Sequence, residues 1–410
     1  MSLIAFGGAE DGKGGLYVGI GGANDIIVTS PALAGSRSYQ YDPKTPAGVT
    51  TQYGWNCNIA QTSVTRISVM CLFRFSAEFN ATFNIIELNN QTLTGVAVRQ
   101  LLLNTAEKLL LADDGANQIG ATGDAYLAVN TTYPILYFYD QLNSLKTRDI
   151  VWVYKSGAWD KAIDVSNYGS TGAISGITFG SYKGKTAPTA GGLCYLDELC
   201  VQNFGDFPNV TALGSITTAV KSPTANGTDL DFTQGTGTSP DFNDVDEIPP
   251  DDATTYDAGD ATNEKQSYVI ANATASDVPL AVAVIGDMRN TDTSSPTSHK
   301  MKTYLFDGTT RDYSDEFAIS QGIWQILKQG TKRMDFQTFN GTTWTEALFN
   351  SMEAGVLMTA HYDGQVQLSA LHLEYVKTGP YALPSGFPTF PSLPITPPLG
   401  TAMRNTLLRR

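Results

Sequence analysis

The sequence predicts an all-β protein: two antiparallel jelly-roll sandwiches joined by a long acidic loop, with an extended Pro-rich C-terminal arm. Three observations predict it. Apolar residues recur with a period of two in runs of strand length, bounded by Gly, Asn and Asp. Only 16% of the residues are charged, 39 are glycine, and long amphipathic helical patterns are scarce. A chain of 410 residues is long enough for more than one core.

The strands follow in order. "RISVMCLFRFSAEF" (66–79) places Ile67, Val69, Cys71, Phe73, Phe75, Ala77 and Phe79 on one face. "GVAVRQLLL" and "EKLLLADDG" come next, then "YPILYFYDQL". "RDIVWVYKSGAWDKAID" reads as two strands joined at Ser156-Gly157. "ISGITFGSYKG" and "GLCYLDELCVQNFG" close a first sandwich over residues 1–207. In a regular "LCYLDELCV" strand, Leu193, Tyr195, Leu199 and Val201 share one face, and Cys194, Leu196 and Cys200 the other. Asp197 and Glu198 then point to opposite faces.

Composition shifts over 208–264, which is poor in large apolar residues; from Asp241 to Glu264 there are nine acids and no Lys or Arg. This stretch reads as a surface connection. Strands resume in a second β-sandwich over 265–376, with "PLAVAVIGDM", "HKMKTYLFDG" and "GQVQLSALHLEYV". "TWTEALFNSME" is the best short helix. "GAWDKAIDVSN" and "GTTWTEALFNS" echo each other weakly, as a duplication would. The arm, 377–410, has spaced prolines, no acids, and the cations Lys377, Arg404, Arg409 and Arg410. Spaced prolines favour an extended chain. Docking on a neighbouring subunit through Arg404, Arg409 and Arg410 and a disordered tail are both open.

The net charge of −14 argues against nucleic-acid binding through a broad basic face. The N-terminus lacks the basic and apolar regions of a secretion signal, and no run approaches the roughly 18 apolar residues of a membrane span, so no membrane insertion is expected. Cys194 and Cys200 lie roughly 20 Å apart in an extended strand, beyond disulfide reach.

A resemblance covers residues 3 to about 376. "LIAFGGAEDG" resembles the opening strand, and "ITFGSYKG…GGLCYLDELCVQNFG" the end, of laminin-G-like or concanavalin-A-like jelly rolls in tailed-bacteriophage virion proteins. "LGSITTAVKSPTANGTDLDF", "VDEIPPDDATTYD" and "NGTTWTEALFNSMEAGV" are similar to the downstream region of the same proteins. The resemblance implies a virion accessory protein of capsid surface, neck or tail, assembled in the host cytoplasm. Its partners would be itself and other virion proteins, and its role decoration or host-surface attachment.

The residues offer little to catalysis. Glycoside hydrolysis needs two carboxylates about 5–10 Å apart on one cleft. The Glu-X-Asp-X-X-Glu pattern of sandwich glycanases is absent, and Asp197 and Glu198 diverge. A Ser-His-Asp hydrolase lacks its Gly-X-Ser-X-Gly elbow. The histidines, His299, His361 and His372, all lie in the second half, and His372 reads as a sheet residue. Zinc is disfavoured by the cysteine spacing. Calcium is the one cofactor left open, through Asp241, Asp244, Asp246, Glu247, Asp251 and Asp252, or Asp113 and Asp114. Tyr39, Tyr41, Tyr53, Trp55 and Tyr182 are candidates for stacking on a sugar. The sequence therefore supports a non-enzymatic structural protein first, a carbohydrate-binding receptor-recognition module second, and a glycan depolymerase last.

Overall fold

The computed structural model describes residues 3–7, 18–19, 26–44, 53–58, 64–89, 97–113, 117–123, 126–143, 146–168, 174–181, 188–204, 216–235, 240–248, 250, 254–274, 277–292, 299–319, 321–322, 324–326, 335–336 and 338–388. The described residues are nearly all β, and their strands pair antiparallel. Its first sandwich pairs an eight-stranded with a seven-stranded sheet. Successive strands cross between them: Ser38–Tyr41 and Arg66–Phe75 lie in the larger sheet, Tyr53–Asn58 and Phe83–Asn89 in the smaller. This interleaving is the jelly-roll winding the strand pattern predicts. The Lys146–Lys155 and Ala158–Tyr168 strands are joined at Ser156-Gly157, both with positive φ (52° and 85°), the two-residue turn whose twist matches its strands.

The Cys194–Asn203 strand is not regular. Asp197 pairs with Leu72 and Cys200 with Met70, so two residues on one strand oppose one on the other. Glu198 sits in this bulge with φ 50°. One extra residue inverts the alternation. Cys194, Leu196 and Val201 therefore share a face with Phe75, Phe73 and Val69, while Tyr195, Asp197, Cys200 and Gln202 share the other. The expected grouping of Leu193, Tyr195, Leu199 and Val201 is thus corrected. The bulge also gives both acids structural work. Asp197 Oδ2 accepts from the Ala34 amide (3.0 Å) and Ser38 Oγ (3.2 Å). Glu198 Oε2 accepts from the Thr218 amide (2.6 Å), at the start of the second sandwich.

The second sandwich pairs a seven-stranded with a six-stranded sheet. It begins earlier than expected. Ile216–Lys221, Pro223–Leu230, Gln234–Gly235 and Asp257–Gly259, all within the stretch read as a connection, are strands of these sheets. Pro223–Leu230 and Gln234–Gly235 are edge strands, and the former alternates between covered and exposed residues. An edge strand needs few large apolar side chains, which is why composition hid them. "TWTEALFNSME" does contain a helix, Glu346–Asn350, capped by Thr345 Oγ1 accepting from the Leu348 amide (3.1 Å). Its supposed counterpart, "GAWDKAIDVSN", lies in the Ala158–Tyr168 strand, so the two stretches are not structural equivalents.

The two sandwiches are stacked. In the Ala281–Asn290 strand, Val282 and Val284 join the core of the second sandwich, while Ala281, Ala283 and Ile285 join the apolar cluster of the first. The larger sheet of the first sandwich meets them with its other face, which carries Met70, Leu136, Phe138 and Trp152. This explains why its strands are buried on both faces. Among the described residues no helix is long and apolar enough to cross a membrane.

The start of the arm docks within the chain. After the Val366–Thr378 strand, Tyr381 packs on Tyr154 (ring centroids 4.6 Å apart) and Trp159 donates from Nε1 to the Ala382 carbonyl (2.6 Å). Phe387 lies against Phe138 (5.4 Å), Trp152 (5.7 Å) and Phe204 (6.1 Å). The first part of the arm is therefore a strap across the first sandwich. Arg404, Arg409 and Arg410 lie outside the described residues. Phe387→Ala should cost about 2–3 kcal/mol, read by urea denaturation, because the ring is partly buried in an aromatic socket. A loss under about 0.5 kcal/mol would mean that the strap contributes no stability.

Candidate functional site: a polar rung across the seven-stranded sheet

The aromatic candidates are core residues. Tyr39 and Tyr41 are fully buried, and Tyr53 and Trp55 are 4% exposed. Tyr39 packs on Trp55 (4.8 Å) and Tyr41 on Tyr53 (5.8 Å), linking the two sheets from inside. Trp55 Nε1 donates to the Gln40 carbonyl (3.2 Å), and burial pushes the Tyr53 phenol up. All four lie between the two sheets, so none is on an outer face. Tyr182 lies outside the described residues.

The acidic candidates are loop and sheet elements. Asp241 caps the short 3-10 turn Phe242–Asp244, accepting from Asn243. Glu247 accepts from Thr255 Oγ1 (2.9 Å), and Asp113 from Asn117. Among the described residues no three His, Cys, Asp or Glu side chains are grouped to hold a metal ion. Asp114, Asp251 and Asp252 lie outside them. Cys71, Cys194 and Cys200 are free, buried thiols whose pKa values burial pushes up. His372 is buried in its sheet opposite Ile285.

A different set of residues forms a built site. In the seven-stranded sheet of the first sandwich, Trp55, Phe179, Ile86 and Leu101 are paired in a row and belong to the core. Their neighbours Asn56, Thr178, Glu87, Gln100 and Ala112 form the next row, one residue from each of five adjacent strands, on the opposite face. At about 4.8 Å between strands, Asn56 to Gln100 spans roughly 14 Å. Thr178 Oγ1 donates to Asn56 Oδ1 (3.0 Å) and accepts from Asn89 Nδ2 (3.2 Å). Asn84 Nδ2 donates to Glu87 Oε2 (3.1 Å) and Ser181 Oγ (3.1 Å), and Ser181 Oγ donates to Glu87 Oε2 (3.2 Å).

Two glycines place Ser181. Gly54 (φ 101°) and Gly180 (φ 125°) face each other on adjacent strands. A Cβ on Gly54 would collide with the Phe179 carbonyl oxygen, and one on Gly180 with that of Tyr53.

The rung is incompletely satisfied. Gln100 is fully buried, yet neither Nε2 nor Oε1 has a hydrogen-bond partner. Asn89, 3% exposed, leaves Oδ1 without one. An unsatisfied buried polar atom costs about 1–3 kcal/mol, so three together call for a bound water or a further polar group that supplies the missing bonds. A carboxamide offers one acceptor and two donors side by side, the complement of neighbouring hydroxyls. Within this row, Glu87 is the single carboxylate.

Sequence reasoning missed these residues. The signal is present in "FNIIELNN" and "VRQLLL", where Asn84, Glu87, Asn89 and Gln100 interrupt otherwise apolar strands. Without register, nothing aligns them into one row.

No family model matches the chain, and no curated protein does. Solved structures similar to it include the endo-β-1,4-glucuronan lyase of the fungus Trichoderma reesei, with 12% identity, 46% of this chain and 89% of that chain covered, and a TM-score of 0.35. The PL-14 alginate lyase of Aplysia kurodai gives 12% identity, 46% and 90% coverage, and a TM-score of 0.36. The tandem CBM22-1–CBM22-2 domain of Paenibacillus barcinonensis Xyn10C gives 10% identity, 91% and 97% coverage, and a TM-score of 0.24. The all-β sandwich architecture itself rests on the strands and sheets described above.

Proposed function

We propose that this chain is a non-catalytic carbohydrate-binding protein whose binding face is the outer side of the first sandwich's seven-stranded sheet, where the polar row lies covered rather than open to solvent. The observation that carries the reading is the Gln100 carboxamide, buried, unpartnered and set beside Glu87 in a row of polar side chains. Orienting a sugar needs a few fixed polar groups on a rigid element, and sheet strands supply that rigidity. Glu87 stands alone in the row, whereas two-carboxylate glycoside hydrolysis needs a partner, which supports binding without turnover. A glycan array probed with the full chain should retain at least one oligosaccharide. Gln100→Met should weaken that binding by about tenfold or more while leaving stability equal or higher, since it removes an unsatisfied amide. No retained glycan, or a Gln100→Met chain that binds as before, would contradict the reading.

A second reading follows from the sequence resemblance: the protein acts on the surface of a tailed-phage particle, with copies of itself and other virion proteins as partners. Copy number per particle tests it. Hundreds would indicate capsid decoration and six, twelve or small multiples of three a neck or tail position; absence from the particle would remove it.

A further inference from the structure

We infer that the second sandwich carries a separate site, centred on Arg289, for a saccharide that bears a carboxylate. Arg289 lies near the end of the Ala281–Asn290 strand, four residues beyond the Ile285 that packs on the first sandwich. Its neighbour Met288 points into the second core, so Arg289 points to the opposite face. Gln367 is its cross-strand partner on one side. On the other side Trp324 stands just before the Gln325–Ile326 strand, which pairs with Met288 and Asp287.

Arg289 is held in place but not neutralised. Its Nε donates to Gln367 Oε1 (2.6 Å), and its guanidinium carbon lies 4.6 Å from the centroid of the Trp324 ring. Arg66, Arg99, Arg148 and Arg311 each pair with an aspartate. Among the described residues Arg289 makes no ion pair, in a chain where acids outnumber Lys and Arg by 40 to 26. Its Nη1 and Nη2 have no hydrogen-bond partner among them, and neither is a buried atom, so both reach solvent. Arg289 and Trp324 are each partly exposed. Asp287, two residues back on the same face, is 1% exposed and so is covered from a ligand.

The chemistry follows from those restraints. Anchoring at Nε and stacking on the indole remove rotamer freedom that a surface arginine would otherwise lose on binding. With Nε engaged, Nη1 and Nη2 remain as an end-on fork that matches the two oxygens of one carboxylate. The indole beside the fork offers an apolar surface to the C–H groups of a rigid ring. A fork next to an aromatic surface fits a uronate-type sugar, whose carboxylate is fixed to its ring, better than the flexible side chain of an acidic peptide. The net charge of −14 repels anionic polymers at long range, so attachment must come from this local geometry.

The test uses the full chain and three immobilised probes: an oligogalacturonate, its methyl ester, and a poly-glutamate peptide. The expected result is that the oligogalacturonate binds at least about tenfold more tightly than either of the others. Arg289→Gln should remove most of that preference, a loss of about tenfold or more, and Arg289→Lys, which keeps the charge without the fork, should fail to restore it. Circular dichroism and a urea midpoint confirm that both variants are folded. Gln100→Met, on the first sandwich, should leave oligogalacturonate binding unchanged. Equal binding of acid and ester, equal binding of the peptide, or an Arg289→Gln chain that binds as before overturns the inference. A neutral glycan retained through Gln100 with no uronate retained also overturns it, while the carbohydrate reading stands. Uronate binding that Arg289→Gln abolishes and Gln100→Met spares supports it whether or not the first sandwich binds a sugar.

Discussion

Arg99→Met should cost the first sandwich about 3–5 kcal/mol at neutral pH, the loss expected when one partner of a buried ion pair is removed. Arg99 is 1% exposed and points between the two sheets, with Nε 3.2 Å from Asp149 Oδ2. Its other nitrogens donate to Thr147 Oγ1 (2.7 Å) and the Val98 carbonyl (2.8 Å), and Tyr137 donates to Asp149 Oδ1 (2.7 Å). Burial works against the Arg99 charge, but Asp149 outweighs it and holds the guanidinium above its ordinary value. Replacing Arg99 alone strands the Asp149 charge in the core. Replacing both, as Arg99→Met with Asp149→Leu, should recover most of the loss. Urea denaturation of the two variants checks this. A single-variant loss below about 1 kcal/mol would show that the pair is not what holds the sheets together.

The second sandwich should show two opposed acid limbs of about 1.4 kcal/mol per pH unit each. Burial pushes the Asp257 carboxyl from 3.8 up to about 7, although Tyr268 donates a hydrogen bond to it. Between those values the native state binds a proton that the unfolded chain does not. Stability from this group therefore rises as pH falls. Burial pushes His372 from 6.5 down to about 3, and neither ring nitrogen has a hydrogen-bond partner. Between those values the unfolded chain binds the proton, so stability falls with pH. The two nearly cancel from about pH 6.5 to 4. Asp257→Asn should unmask a loss of about 2 kcal/mol on acidification from pH 6.5 to 4.5, and His372→Leu a gain of similar size. Chemical denaturation across that range checks both signs. Parallel pH profiles in the two variants would contradict the account.

Much of the fold was legible because burial imposes a period of two on strands and glycine marks their ends. The hairpin at Ser156-Gly157 and the capped helix at Glu346–Asn350 follow from local chemistry alone. Edge strands were not legible: Pro223–Leu230 has solvent on one side and little apolar content to mark it. The bulge at Glu198 was equally hidden, since one extra residue carries no compositional signature, yet it regroups every side chain beyond it. The site depends on register. Tyr39, Tyr41, Tyr53 and Trp55 drew notice as aromatics in a Gly/Pro-rich stretch, but the pairing of their strands turns them inward. Glu87 and Gln100 sit on separate strands, and only their pairing makes them neighbours.

The most direct measurement is the side-chain amide NMR signal of Gln100, in the full chain labelled with 15N-glutamine, during titration with a neutral oligosaccharide retained on the array. The account predicts a saturable shift of that NH2 pair, with the same midpoint as binding, and its disappearance in Gln100→Met. An unmoved Gln100 signal at saturating ligand would place the sugar elsewhere and contradict the account.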